Sequence, residues 1–548
     1  MCTLPDSHRI LPVSYTNFRT RYNMAYACRK GLSKVVALAR EGTFPPIVKF
    51  LPPVCYQTSM SQSEVKPAAE IPGPRKIPLI GSIFSRKIYK ELDKKALHVF
   101  WKNVMAEYGP IVKISAPGMP NLVVVTSPDD CEMVVRSTMD NPIRPPLDSL
   151  KLARLKAVDN YFEQKTGLIT ENGEEWKRVR SRVQTPMMKP RNINAYLPEM
   201  DQVTLEFMNR ISAFQDKHGE MPEDFQVELY KWALESVSLV ALGRRLGCLE
   251  PNLPVDSEQM KLIHAANAIF EGINDLEASL KLFKLWQTKE HRKLQQNHDE
   301  FLRIAIRRIQ ETEENLLKKS LDDVSGLTLM EELLLSPGLS RKDVVTLILD
   351  MMVAGIDTTS HTLGFTLYLL ARNPECQAKL QEEIDTVLGD HQGPLDPKHL
   401  AQLSYLKAVV KESLRVFPLT IGMARKLVKD VVLSGYLVPK DCFVITLNMF
   451  MSKDKNLFPR PEEFLPERWL RHKPLGPIHP YASLPFGAGT RMCVGRRIAE
   501  QEIYTFLTRV MQRYTVDYKY KDMDMVTRLV FIPSEPLRFT FTERKQNG

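Results

Sequence analysis

The sequence predicts one large, mainly helical domain with small β-sheets. Helical periodicity dominates residues 128–415. Its strongest segment, residues 342–371, is mostly apolar and long enough for a helix that crosses a large domain through the middle. Short apolar runs bounded by turn residues precede and follow this region and predict minor sheets. The chain has 548 residues, which is sufficient to bury such a core.

The composition excludes several other classes of protein. Apolar residues make up 43% and charged residues 26% of the chain, which is ordinary for a globular protein and argues against disorder, collagen and coiled coil. No apolar run approaches the roughly 18–20 residues of a membrane-spanning helix. The eight cysteines include no Cys-x-x-Cys pair, which argues against a disulfide scaffold and a four-cysteine zinc site.

The net charge of +10 is concentrated at the N-terminus. Residues 1–60 carry eight Lys or Arg and two acids, a charge of +6, which leaves +4 for the rest. On a helical wheel of residues 24–40, apolar and basic side chains occupy opposite arcs. This pattern is typical of a mitochondrial presequence; a disordered basic tail or a peripheral membrane helix is the alternative. We therefore interpret residues 1–60 as presequence and linker and residues 61–548 as a single domain.

The remaining elements follow in chain order. Residues 71–81 predict a stiff, extended entry to the domain. Strands are expected at residues 111–115 and 122–126, at 431–438 and 443–447, and at 529–531 and 537–541. A long proline-rich loop covers residues 459–485, and a final helix begins near Gly495.

The residues most specific for function surround Cys493, in a glycine-rich loop directly before that final helix. A thiolate at this place would accept backbone N–H groups and lie near the positive end of the helix, and both effects lower its pKa. Gly487, Gly489 and Gly495 allow a flat group to lie close to the backbone. The alternative is a small buried cysteine in a glycine turn. That alternative suits four other cysteines, namely Cys131, Cys248, Cys376 and Cys442.

This loop resembles the ligand loop of the cytochrome P450 haem-thiolate monooxygenases. Their pattern Phe-x-x-Gly-x-Arg-x-Cys-x-Gly is met at Phe486, Gly489, Arg491, Cys493 and Gly495. The resemblance implies the P450 fold, with the long central helix over the haem and the ligand loop before a C-terminal helix. It also implies haem b (iron protoporphyrin IX) as cofactor, with Cys493 as the axial thiolate of the iron.

A second motif concerns structure. Glu412 and Arg415 are three residues apart on one helix face, and taken alone they suit a solvated surface pair. Arg468, in the sequence Pro-Glu-Arg-Trp, is similar to the partner arginine of the P450 family. The resemblance implies a buried cluster of these three residues that locks the loop behind the haem.

The long central helix carries the sequence Ala-Gly-Ile-Asp-Thr, which is similar to the oxygen-activation pattern of the family. Gly355 would leave room for dioxygen, the Thr358 hydroxyl would hydrogen-bond near the iron, and Asp357 would link that place to a proton supply. An ordinary buried run of Ser and Thr is the alternative. Given Cys493, we expect Asp357 and Thr358 to be catalytic.

Three cationic side chains are expected to hold the haem propionates. Trp176 and Arg180 lie four residues apart on one helix face and resemble the family's propionate-binding helix. Arg425 matches another propionate-binding position, and Arg491 lies in the ligand loop. Together, Arg180, Arg425 and Arg491 offer three positive charges to two carboxylates, a balance suited to a buried anionic cofactor.

A basic surface is expected to receive the electron donor. Lys407 and Lys411 lie on the helix of Glu412 but about a quarter turn from it, so they can face solvent while Glu412 is buried. Arg496 and Arg497 add charge beside Cys493. This resembles the mitochondrial P450 subgroup, which docks an acidic [2Fe–2S] ferredoxin on such a surface; a solvated basic face is the alternative.

For the substrate, the sequence indicates only that it is hydrophobic. The segments that correspond to the family's substrate pocket are mostly apolar, which suits a hydrophobic, sterol-sized ligand. The apolar side chains expected there are Ile348, Met352, Leu419, Ile421, Phe531 and Ile532. An apolar and basic run at residues 280–285 could rest on a membrane surface.

The resemblance is greatest to mitochondrial steroid and vitamin D-type hydroxylases and their invertebrate relatives. The leading hypothesis is therefore hydroxylation of a steroid or sterol-derived substrate, peripherally on the matrix side of the inner mitochondrial membrane. Electrons would come from NADPH through ferredoxin reductase and a ferredoxin. The alternatives are a xenobiotic-detoxifying monooxygenase, a haem-thiolate isomerase and a non-catalytic haem carrier. No nucleic-acid partner is expected, because the charge of the body is nearly balanced.

Overall fold

The computed structural model describes residues 65–74, 93, 95–115, 121–279, 281–318, 327–389, 391, 393–472 and 474–544. The predicted presequence and most of the extended entry at residues 71–81 lie outside the described residues. Within them, the chain is mainly helical with small sheets, so the predicted fold class is confirmed.

Ten α-helices precede the long central one in the described part of the chain. They are α1 Leu97–Tyr108, α2 Pro128–Ser137, α3 Asp148–Leu155, α4 Gly173–Met188, α5 Pro190–Asn194, α6 Leu197–Phe214, α7 Phe225–Leu242, α8 Glu258–Glu277, α9 Lys289–Lys318 and α10 Leu329–Leu335. Helix α7 is buried along almost its whole length, since it packs against the central helix.

The central helix α11 spans Arg341–Arg372, one residue longer at each end than the sequence indicates. Its start is fixed by a capping box, in which the Ser340 hydroxyl accepts from the Asp343 N–H and the Asp343 carboxylate accepts from the Ser340 N–H. Most of its side chains are buried on every face, because α7 and several elements of the C-terminal half surround it.

The C-terminal half adds five helices to the described fold. They are α12 Pro374–Leu388, α13 Pro397–Gln402, α14 Ser404–Val416, α15 Asn448–Met451 and α16 Arg496–Arg513. Helix α16 begins directly after Gly495, as predicted, and packs on α11 and α6. The ligand loop therefore leads straight into the core.

In the part of the chain that the structure describes, eleven short strands form four small sheets. They are β1 Lys66–Pro67, β2 Ile111–Ile114, β3 Leu122–Val125, β4 Met423–Lys426, β5 Val431–Leu433, β6 Tyr436–Val438, β7 Phe443–Thr446, β8 Tyr514–Asp517, β9 Met525–Arg528, β10 Val530–Pro533 and β11 Thr540–Glu543. The largest sheet has the order β2-β3-β7-β4, with β3 and β7 parallel. The others are β1-β6-β5, β9-β10 and β8-β11.

The strands show where local patterns mislead. The single run predicted at residues 431–438 is a hairpin, because the turn at Ser434 and Gly435 separates β5 from β6. The last two predicted strands are shifted toward the C-terminus, and β1, β4, β8 and β9 were not predicted. Strands of three or four residues are determined by their pairing partners, which are 321 positions apart for β3 and β7, rather than by their own composition.

The hydrophobic core is centred on α11, with α7, α8, α14 and α16 around it. Within the described ranges, no helix has both the length and the apolar character needed to cross a membrane. The fold thus brings the ligand loop, the central helix and the four-stranded sheet around one interior site.

Candidate functional site

The loop around Cys493 is held by its own backbone. The Cys493 N–H donates to the Phe486 carbonyl over 2.9 Å, and the Met492 N–H donates to the Gly489 carbonyl over 3.1 Å. Gly489 has a φ of 73°, and a side chain there would place its first carbon 3.0 Å from Val135 of α2. The glycine pattern therefore serves both the turn and the close approach of α2.

Cys493 differs from the other cysteines of the described chain, since Cys493 is exposed and the other four are buried. Its sulphur lies in a concave place where protein displaces water, and this burial raises the pKa of the thiol. Hydrogen bonds from the backbone N–H groups of Gly495 and Arg496 and the charge of Arg180 oppose that rise. The lowering effects expected from the sequence are thus present, and burial is the larger effect.

Helix α4 directs two of the predicted cofactor-binding side chains to this loop. Both Trp176 and Arg180 are buried. Arg180 donates from Nη2 to the Met492 carbonyl over 2.9 Å. The guanidinium of Arg491 lies over the Trp176 ring, 4.6 Å from its centroid, and donates from Nη1 to Asn172 Oδ1 over 2.9 Å. Trp176, Arg180 and Arg491 therefore meet at one end of the site.

A further arginine, which the sequence did not indicate, joins this group. Arg144 donates its backbone N–H to the same Asn172 Oδ1 over 3.1 Å. Burial, with the charge of Arg144 next, lowers the pKa of Arg425 on β4 to about 10 and that of Arg491 to about 8. Burial and the neighbouring positive charges both disfavour the charged guanidiniums, so an anion among them would stabilise these arginines. The cluster therefore suits an anionic group.

On α11, Thr358 lies on a partly accessible stripe with Ala354 and Gly355, whereas Asp357 is fully buried. The Thr358 hydroxyl donates to the Ala354 carbonyl over 2.8 Å. A side chain at Gly355 would place its first carbon 2.8 Å from Val237 Cγ2. Gly355 thus permits the close packing of α7 on α11.

Asp357 belongs to a buried polar network that sequence reasoning missed. Arg528, at the end of β9, donates from Nη2 to both Asp357 oxygens over 3.1 Å and to Asn267 Oδ1 of α8 over 3.0 Å. His361 Nε2 is 4.0 Å from the carboxylate and 3.1 Å from the Tyr230 hydroxyl of α7. Burial raises the pKa of Asp357 to about 6, while Arg528 opposes the rise.

The structure brings Glu412, Arg415 and Arg468 together in one buried cluster. Glu412 accepts two bonds from Arg415, over 2.8 and 2.9 Å, and one from Arg468 over 3.0 Å. The Trp469 indole and the Leu465 N–H also donate to Glu412. Arg415 further donates to the carbonyls of Ser452, Pro461 and Glu463. Helix α14 is thereby fastened to the proline-rich loop.

Comparison with known proteins decides the family. The sequence profile described as "Cytochrome P450" matches residues 71–541, which is most of the chain. The protein belongs to the cytochrome P450 family. It is therefore a haem-thiolate monooxygenase by family, with haem b as the cofactor.

Several curated P450s are similar over nearly their whole length. "Probable cytochrome P450 49a1" of Drosophila melanogaster is 36% identical, over 89% of this chain and 85% of the relative. "Cytochrome P450 CYP12A2" of Musca domestica is 34% identical, over 88% and 93%. "Probable cytochrome P450 301a1, mitochondrial" of Drosophila melanogaster is 32% identical, over 89% of each chain.

The residues of this P450 fit haem b. The crowded arginines Arg144, Arg180, Arg425 and Arg491 have the charge that two propionates require, and the exposed thiol of Cys493 lies among backbone donors. The charge balance, rather than the motif alone, supports this fit.

The predicted donor-binding surface of the P450 is less uniformly basic than the sequence indicates. Lys411 is exposed, and its ammonium lies 5.9 Å from the centre of the Trp469 ring. Lys407 is half-buried and donates to the Ala401 carbonyl over 2.8 Å, so it is less accessible than Lys411. Arg496 and Arg497 both pair with Glu500, at 2.8 and 3.5 Å, so these three side chains contribute one net charge.

A cavity of about 110 Å³ lies on the side of α11 that carries Ala354. It is lined by parts of the predicted substrate segments, namely α3, α8 and the first half of α11. Ile348 and Met352, expected in its wall, are instead fully buried in the core. The wall is formed by the neighbouring face of α11, with Leu349, Asp350 and Val353.

Proposed function

We propose that this P450 is a mitochondrial monooxygenase that hydroxylates a steroid or sterol-derived molecule. One atom of O2 enters a C–H bond and the other is reduced to water, with two electrons from NADPH delivered through ferredoxin reductase and a [2Fe–2S] ferredoxin. The proposal of a ferredoxin as electron donor rests on Lys411, which is exposed on the face formed by α14 and the loop before Cys493. Relatives named mitochondrial support the same subgroup.

The cofactor would be held by residues of three elements. Cys493 is proposed as the iron ligand, Phe486 as a neighbour of the ring, and Trp176, Arg180, Arg425 and Arg491 as the propionate site. Arg144 joins them, because its charge acts on Arg425 and Arg491. When bound, haem b supplies the activation and cleavage of dioxygen.

Proton delivery is proposed for Asp357 and Thr358. The hydroxyl of Thr358 lies on the accessible stripe of α11, bonded to the Ala354 carbonyl, and can turn to donate a hydrogen bond at the reacting oxygen. Asp357 is one residue away, and its pKa of about 6 allows it both to take up and to release a proton near neutral pH. The buried cluster of Glu412, Arg415 and Arg468 is proposed to keep the loop behind the haem rigid.

The lining of the cavity supports an apolar substrate, since it includes Ile269, Phe270, Ile273 and Phe301. A peripheral membrane contact is proposed at the segment between α8 and α9. There Leu285 and Trp286 are 77% and 56% exposed, which suits insertion at an interface. Lys281 and Lys284 both pair with Asp148, so the apolar side chains contribute more to this contact than the charges.

The experiment that tests this proposal compares electron donors. Purified holoenzyme should show the red-shifted CO band of a thiolate-ligated haem, and Cys493→Ala should abolish it. Turnover of a steroid panel should depend on ferredoxin and its reductase.

The ferredoxin contact is tested by charge reversal. Lys411→Glu should raise the ferredoxin KM several-fold at low salt without changing the spectrum. The matched control is Lys261→Glu, an exposed lysine on α8 on the cavity side of α11, which should leave the KM unchanged. If Lys411→Glu and Lys261→Glu had the same ferredoxin KM, the proposal that ferredoxin docks at Lys411 would be contradicted. Turnover with a diflavin reductase alone would contradict the mitochondrial assignment.

A further inference from the structure

Part of the cavity wall is formed by polar side chains to which the proposed mechanism assigns no role. Most of the wall is apolar, as at Ala354 and Leu529, but part of it is formed by Arg154 of α3, His298 of α9 and Asp350 of α11. All three side chains are buried, with 3%, 5% and 4% of their surface exposed. Buried ionisable groups in an otherwise apolar cavity require partners, and their partners identify what is left to bind a ligand.

Arg154 and Asp350 satisfy each other. Arg154 Nη2 lies 2.5 Å from Asp350 Oδ1, and its Nη1 donates to the Thr166 carbonyl over 2.7 Å. Asp350 Oδ2 accepts the Ile169 N–H over 3.3 Å. The pair is therefore neutral as a unit, and an added anion would meet the negative charge of Asp350.

His298 has a hydrogen-bonding atom to spare. Arg154 Nε lies 3.5 Å from His298 Nε2, and because an arginine can only donate, Nε2 must accept. Burial and the neighbouring Arg154 lower the pKa of His298 to about 3, so the ring is neutral and carries its proton on Nδ1. Among the described residues, Nδ1 has no hydrogen-bond partner. A buried N–H donor beside the cavity thus lacks an acceptor.

We propose that this part of the cavity binds a neutral oxygen acceptor, a hydroxyl or ketone group, on the end of the substrate farthest from the oxidised carbon. The inference rests on the proposed hydroxylase function and adds a substrate feature to it. Asp350 and Thr358 are eight residues apart on α11, which is about 12 Å along the helix axis. An elongated apolar substrate anchored by an oxygen at His298, beside the Arg154–Asp350 pair, would therefore extend along α11 toward Thr358.

The test measures ligand binding to holoenzyme by the shift in haem spin state. One probe set is 5α-androstane, 5α-androstan-3β-ol, 5α-androstan-3-one and the corresponding 3-carboxylic acid. The second is n-decane, 1-decanol, 2-decanone and decanoic acid. We expect the alcohol and ketone to bind about three- to tenfold more tightly than the hydrocarbon of the same set, and the acid to gain nothing.

Three variants assign this preference to His298. His298→Phe should abolish it while leaving hydrocarbon affinity nearly unchanged, and His298→Gln, which retains an N–H donor, should keep part of it. The matched control is His291→Phe, a buried histidine seven residues earlier on α9 that is stacked on Phe283 and does not line the cavity. Thermal unfolding and the CO band check that each variant is folded.

The possible outcomes separate the two proposals. If wild type and His298→Phe preferred the alcohols and ketones equally, the proposal that His298 anchors the substrate would be overturned. Tight binding of the carboxylic acids would overturn it as well. Binding of the decane set alone, with the His298-dependent preference, keeps the anchor and contradicts the steroid substrate. If no probe of either set shifts the spin state of the wild-type protein, the anchor and the steroid proposal both fail.

Discussion

Replacing Arg528 by Gln should shift the pH dependence of turnover to higher pH. Arg528 Nη2 lies 3.1 Å from both oxygens of Asp357, whose side chain is fully buried. Burial raises the pKa of Asp357 to about 6 even with Arg528 present. An opposite charge at this distance lowers a carboxyl pKa by about 1–3 units, so its loss should raise that pKa to between about 7 and 9.

The consequence at neutral pH follows from these values. With a pKa of about 6, Asp357 is roughly nine-tenths ionised at pH 7, whereas with a pKa of 8 it is roughly nine-tenths protonated. The apparent pKa of the Asp357-dependent part of the kcat profile should therefore increase by about 1–3 units. The fraction of NADPH electrons that reach product should fall at pH 7, because proton delivery no longer matches electron delivery.

The assay is kcat and product formed per NADPH between pH 5.5 and 9 at constant ionic strength, with the CO band as a check on the haem. Arg528→Lys keeps the positive charge and should shift the profile much less. Arg372→Gln breaks an arginine–carboxylate pair with Asp522 at the surface and serves as the control. A profile for Arg528→Gln that superimposes on that of wild type would refute the reasoning, as would an equal shift in Arg528→Lys.

Three further predictions concern stability. Burial raises the pKa of Glu502 to about 8, so the folded protein holds a proton that the unfolded chain releases near pH 4.5. The free energy of unfolding therefore falls as pH rises between these values. Glu502→Gln should remove this pH dependence and stabilise the protein by roughly 2–3 kcal/mol at pH 7, measured by denaturant unfolding at pH 5, 7 and 8. Glu412→Gln leaves the charges of the buried Arg415 and Arg468 without a carboxylate partner, so the free energy of unfolding should fall by about 3–5 kcal/mol and haem should be retained less well. Thermal unfolding and the haem-to-protein ratio measure these effects, and an unchanged haem content would contradict the locking role. Gly355→Ala should cost about 1–3 kcal/mol, and Val237→Ala in the same chain should recover part of it; additive effects would show that the close contact is not the cause.

The basic surface shows how far a local pattern can be trusted. The family resemblance implies that Glu412 and Arg415 of α14 are buried, and both are fully buried. The helical wheel of α14 places Lys407 and Lys411 together, but only Lys411 is exposed, since the Lys407 ammonium is engaged by the Ala401 carbonyl. The angular position of a side chain follows from the sequence, whereas its partner comes from the neighbouring segment.

Local sequence patterns were sufficient to predict the helical class, the extent of α11 to within one residue at each end, the ligand loop and the start of α16. These features are local: apolar periodicity over thirty residues and a dense motif both leave their mark on contiguous sequence. Only the tertiary structure decided that Arg144 joins the arginine cluster, that Arg528 holds Asp357, and that His298 faces the cavity with a donor to spare. These contacts join different elements, and His298 and Arg528 are 144 and 171 positions from Arg154 and Asp357. Neighbouring sequence carries no periodic signal for them, because burial and electrostatic pairing arise only when separate elements pack.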